Sequence, residues 1–69
     1  MPMFNFQIES AGAAPDNHKL MLQDARAAQG HAQTLDSAVA LRDRSARRNW
    51  TITVTDEHAN VVYAIRREL

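Results

Sequence analysis

A small α+β domain, with one long helix packed on one face of a three- to four-stranded antiparallel sheet in the order β-(β)-α-β-β, is predicted by three observations. Two stretches, Met3 to Glu9 and Asn49 to Ile65, alternate apolar and polar residues with the period of a half-buried strand. Between them, from Asp24 onward, apolar residues recur every three and four positions, the spacing of one helical face. The chain has 69 residues, room for a single small domain over 1–69 and no second core.

The first strand puts Phe4, Phe6 and Ile8 on one side and Asn5, Gln7 and Glu9 on the other. "SAGAAPDN" follows, and its Gly12 and Pro15 mark a loop. "HKLML", His18 to Leu22, reads either as a short second strand paired back on the first or as the opening turn of a helix starting near Asp16. The strand is the preferred reading.

Asp24 is placed to cap the helix, its carboxylate accepting backbone N–H groups of the first turn. The predicted contact stripe runs through Ala25, Ala28, Ala32, Leu35 and Val39, reaching Arg42 or Asp43. Three alanines at its start allow close approach to a sheet. Gly30 sits inside the helix at a cost of about 1 kcal/mol relative to alanine. Arginines at 42, 44, 47 and 48 suit the negative end of the helix dipole, and Asn49 could close the helix.

In "NWTITVTDEHANVVYAI", Trp50, Ile52 and Val54 face one way and Thr51, Thr53 and Thr55 the other. The apolar pattern selects the hairpin register. Val54 must lie opposite Tyr63 and Ile52 opposite Ile65, because a one-residue slip would move every side chain to the other face. An even-numbered loop centred on His58 and Ala59 satisfies this, with Asn60 or Asn49 the residues best able to hold a positive φ nearby. The expected buried set is Phe4, Phe6, Ile8, Leu20, Leu22, Ala28, Ala32, Leu35, Val39, Trp50, Ile52, Val54, Tyr63 and Ile65. The opposite sheet face carries Asn5, Gln7, Thr51, Thr53, Thr55, Val62 and Ala64, polar but nearly uncharged.

The succession "FNFQI", "LQDARAAQGHA" and "WTITVTDEHANVVYAI" resembles a family of short, uncharacterised alphaproteobacterial proteins. An aromatic first strand, an L-x-D-x-x-x-A helix start and a V-x-D-E hairpin mark that family. Leu22, Asp24 and Ala28 match the helix start, and Val54, Asp56 and Glu57 match the hairpin. The family usually has glycine in the hairpin turn where this chain has Ala59, and often D-x-x-G before the helix where this chain has "DNHK". The resemblance covers nearly the whole chain and implies the fold; the family carries no established activity.

Hydrophobic residues make up 45% of the chain and charged residues 23%, an ordinary globular composition. There is no cysteine, so neither a disulfide nor a thiolate metal site can reinforce so small a core. Self-association is then the expected reinforcement, and a homodimer is the expected state. The formal net charge of zero argues against general nucleic-acid or membrane binding. Residues 1–41 nevertheless carry four acidic against two basic side chains, and residues 42–69 six arginines against four acidic ones. No stretch approaches the roughly 20 apolar residues of a membrane-spanning helix, and "MPMFNFQIES" lacks the features of a signal peptide. A bacterial cytoplasm is the expected location.

Signals for chemistry are sparse. His18, His31 and His58 show no H-x-x-x-H or H-E-x-x-H spacing and read as solvent-facing, with His31 off the helix contact stripe, so neither metal nor cofactor is expected. Asp56 and Glu57 are adjacent and diverge, and Asp56 reads as a turn-initiating residue that bonds backbone two positions on. Ser10, Ser37 and Ser45 have no accompanying base. No catalytic residue and no enzyme activity are expected. "RDRSARRNW" carries four arginines and a tryptophan. With Arg66 and Arg67 brought alongside by the hairpin, Arg42, Arg44, Arg47, Arg48 and Arg66 could form a phosphate-binding patch.

The expected function is therefore a non-catalytic binding or regulatory module acting on an unidentified protein partner, itself included. Its predicted contact surface comprises Thr51, Thr53, Thr55, Val62 and Tyr63, with Met3 as a further anchor and the weakly charged edges of "FNFQI" and "VVYAI" as pairing sites. The alternative is an antitoxin-like or repressor-like nucleic-acid binder using the arginine patch.

Overall fold

The structure, a computed structural model, describes residues 1–10, 14–43 and 49–68, excepting the side chains of residues 42 and 43. Its elements are β1 (Met3–Ser10), β2 (Asp16–Met21), α1 (Ala25–Asp43), β3 (Trp50–Thr55) and β4 (Val61–Arg67). The four strands form one antiparallel sheet in the order β2-β1-β3-β4. "DNHKLM" is thus a strand, which begins at Asp16 and pairs Phe4 with Leu20 and Phe6 with His18. β1 was expected to offer an exposed edge. It lies instead in the interior of the sheet, between β2 and β3, and the edges belong to β2 and β4.

Period-two alternation assigns the two faces. Three ladder rows define the helix-facing side: His18, Phe6, Val54 and Tyr63; Asp16, Ile8, Ile52 and Ile65; and Ser10, Trp50 and Arg67. Phe6, Ile52 and Val54 are wholly buried, since each sits on an interior strand beneath the helix, and each stabilises the fold by about 1.5–3 kcal/mol. Phe4, Trp50, Ala28 and Ala32 complete the fully buried core. The other residues of the expected buried set pack around it half-exposed, and Ala40 joins them.

Asp24 caps α1 as expected: its Oδ1 accepts the Ala27 backbone N–H at 2.9 Å. The contact stripe begins one turn later than the spacing predicts, for Ala25 is exposed and Ala28 is the first buried residue. The stripe also includes a residue left out of the prediction, Asp36, which is only 8% exposed.

The β3–β4 hairpin has the predicted register, with Val54 opposite Tyr63 and Ile52 opposite Ile65. The means differ from the prediction. The connection from Asp56 to Asn60 is five residues long, an odd number, and Thr55 pairs with Val61. A bulge at Val62 takes up the extra residue and restores the apolar register. Asp56 organises the loop, its Oδ1 accepting the backbone N–H groups of His58 at 2.8 Å and Asn60 at 2.9 Å. These bonds hold the Asp56 carboxyl below its ordinary pKa, the Asn60 N–H contributing most. The residue at positive φ is Ala59, at 63°, rather than either asparagine.

Candidate functional site

Two side-chain clusters and one open surface stand out. The first cluster joins helix to sheet where Trp50 lies opposite Arg67. Asp36 descends from α1 between them: its Oδ1 accepts the Trp50 indole N–H at 2.8 Å and the Arg67 Nε–H at 3.2 Å, and its Oδ2 accepts Arg67 Nη2 at 2.8 Å. The two arginine contacts form a bidentate fork, and the carboxylate satisfies the one polar atom of a 7%-exposed indole. Arg67 holds the Asp36 carboxyl below its ordinary pKa, with the indole bond assisting against desolvation. Asp36 raises the Arg67 pKa in return.

This arrangement dismantles part of the predicted arginine patch. Arg67 is engaged on the helix-facing side, and Trp50 is core rather than a stacking platform. Arg66 projects to the opposite face, exposed and 3.0 Å from Glu68. Arg44, Arg47 and Arg48 lie outside the described residues, as does the side chain of Arg42.

The second cluster lies toward the other edge of the sheet. His18 and His31 were expected to face solvent, yet both are half-buried. Phe6 brings them together: the His18 ring stacks on it at 5.2 Å and the His31 ring meets it edge-on at 4.7 Å. The two Nε2 atoms are 3.4 Å apart. Burial, and to a lesser degree the neighbouring His18, lower the His31 pKa. His58 alone is exposed as expected, in the hairpin loop beside Glu57 at 3.8 Å. Among the described residues, no group of three or more His, Asp or Glu is gathered closely enough to hold a metal ion.

The open surface is the sheet face away from α1. Its ladder rows are Lys19, Asn5, Thr55 and Val61; Asn17, Gln7, Thr53 and Ala64; and Glu9, Thr51 and Arg66. Gln7 donates to Glu9 along β1, and the charged residues stand toward the ends of this surface. Met3, Met21, Val61 and Val62 are exposed, Val61 by 63%. Val62 is the bulged residue at the β4 edge of this surface, and Thr51, Thr53 and Thr55 lie on it. Tyr63 does not: it lies opposite Val54 under the helix and packs against the core. Two shallow depressions flank the surface, one of about 300 Å³ near Glu9, Thr51 and Arg66, the other of about 360 Å³ near Met3, Lys19 and Thr55. Asp56 borders the second, with its Oδ1 already committed to two backbone N–H groups.

One helix laid on a four-stranded antiparallel sheet, with the second face bare among the described residues, defines a small α+β domain. Residues 3–66 match the family described as Domain of unknown function (DUF6894), and the chain belongs to that family. No curated protein and no solved structure matches the chain. Among the described residues, no helix is long and apolar enough to cross a membrane.

Proposed function

We propose that this protein is a non-catalytic binding module that works through the open face of its sheet, and that a second copy of the chain, as a homodimer, is the first partner to test. The observation that carries this reading is the one-sided placement of α1. It leaves Asn5, Gln7, Thr51, Thr53, Thr55 and Ala64 as a polar, uncharged centre, with Lys19, Glu9 and Arg66 toward the ends of the same face and the exposed Met3, Met21, Val61 and Val62 at its border. Residues with little charge can be desolvated at lower cost than the Lys/Glu-rich face usual for a solvated sheet. A bacterial cytoplasm, free of disulfide chemistry, suits a chain without cysteine.

Sedimentation velocity on the wild type and Thr53→Arg tests it. Thr53 is central on the open face, so an arginine there would place a charge in the middle of the contact. A dimer that persists at high salt and dissociates in Thr53→Arg agrees with the proposal; a wild type that stays monomeric at millimolar concentration refutes the homodimer. Association with nucleic acid, falling steeply between about 50 and 200 mM salt, would instead favour the arginine-patch alternative.

A further inference from the structure

We infer that His18 and His31 form a two-imidazole binding site for a late first-row divalent cation such as Zn²⁺, on the helix side of the sheet and away from the proposed interaction surface. Zinc–imidazole bonds of about 2.0–2.1 Å at the tetrahedral angle require ligand nitrogens about 3.3–3.4 Å apart. The His18 and His31 Nε2 atoms stand 3.4 Å apart in a hydrogen bond whose proton the cation would replace. The two residues come from β2 and α1, 13 positions apart in sequence, so the folded chain creates the pair.

Four features bear on how the pair would take a cation. Phe6 contacts both rings and limits their movement, at 5.2 Å and 4.7 Å. The rings are themselves nearly perpendicular, at 86°, and 5.6 Å between centroids. Burial favours the neutral, ligating form of His31. Both residues retain partial exposure, which leaves a path for the ion.

Imidazole nitrogen selects Zn²⁺, Ni²⁺ or Cu²⁺ over the oxygen-seeking Mg²⁺ and Ca²⁺. With no third protein ligand close by among the described residues, water or a donor from another molecule fills the remaining positions. The site therefore has the open coordination of a regulatory or bridging centre, unlike a closed four-ligand structural one. The inference is independent of the proposed interaction surface and survives its failure.

The test uses untagged, chelator-treated full-length protein titrated with Zn²⁺ and, separately, with Mg²⁺. Zn²⁺ should raise the unfolding temperature, because it binds the folded pair and not the separated histidines; Mg²⁺ should not. His18→Gln or His31→Gln should each weaken Zn²⁺ binding at least tenfold, and His58→Gln should leave it unchanged. Long-range ¹H–¹⁵N spectra of the wild-type imidazoles give a reading independent of any variant's folding: Zn²⁺ should move the Nε2 resonances of His18 and His31 together. Zn²⁺ binding that is absent, that survives both single substitutions, or that moves only His58 overturns the inference.

Discussion

Replacing Asp36 with alanine removes three hydrogen bonds at once and strands a buried indole N–H, since Asp36 Oδ1 accepts the Trp50 Nε1–H at 2.8 Å. Leaving such a donor unpaired costs about 1–3 kcal/mol. The ion pair adds less. Arg67 is 55% exposed at its side chain, so solvent screens its share of the pair even with bidentate geometry. Alanine returns roughly 0.5 kcal/mol through its higher helix propensity. The net expectation is a destabilisation of about 2 kcal/mol, a large fraction of the stability available to one small core. In a domain of this size that lowers the melting temperature by about 8–16 °C.

Urea unfolding followed by the fluorescence of Trp50, the single tryptophan, measures the effect directly. Asp36→Asn retains an acceptor for the indole while removing the charge, so it should fall between wild type and Asp36→Ala. Arg67→Ala leaves the indole bond to Asp36 in place and should therefore destabilise less than Asp36→Ala. A double-mutant cycle between positions 36 and 67 would isolate the pair from the indole bond. If Asp36→Ala shifts stability by less than about 0.5 kcal/mol, with unchanged urea dependence, the claim that this carboxylate fastens helix to sheet is wrong.

Acid should act on the same contact. The folded Asp36 pKa lies below its unfolded value of 3.8, so its stabilisation is present above that value and is lost as pH falls through the lower, folded one. The acid limb of a stability–pH curve should therefore flatten in Asp36→Asn, and an unchanged limb would remove Asp36 from the account. Ala59→Gly should stabilise by up to about 1 kcal/mol, because Ala59 at φ 63° pays a steric cost that glycine avoids; a lower urea midpoint would contradict this. Gly30→Ala should stabilise by a similar amount, about 1 kcal/mol, since Gly30 is helical and an added Cβ meets nothing within 4 Å. Calorimetry showing no gain would mean that the helix is frayed at Gly30 or that a partner approaches there.

What could be read in the sequence was what periodicity alone encodes. Phe4, Phe6 and Ile8 on one strand, and Trp50, Ile52 and Val54 on another, left one arrangement that buries both sets, and the structure adopts it. The hairpin register followed from the same logic, because Val54 and Tyr63 must share a face whatever the loop does. The loop itself was not legible. Five residues and a bulge give the same register as an even loop, and an apolar pattern cannot tell the two apart.

The two clusters were missed for a related reason: a polar residue was read as solvent-facing by type, regardless of its position. Asp36 stands four residues beyond Ala32 on the contact face, and the predicted register already set Trp50 opposite Arg67. Together those facts called for a buried carboxylate with two donors. His18 likewise lies in line with Leu20 on the helix-facing side of β2. His31 had a weaker signal, being next to the buried Ala32, and only the folded position of α1 brings its ring to Phe6.

The most direct test of the central proposal is a dilution series of ¹H–¹⁵N correlation spectra from millimolar to low micromolar protein. Association through the open face predicts concentration-dependent shifts at Asn5, Gln7, Thr51, Thr53, Thr55 and Ala64, with Ala28, Ala32 and Asp36 on the helix contact face unmoved. Spectra that do not change with concentration, or changes confined to α1, would contradict it.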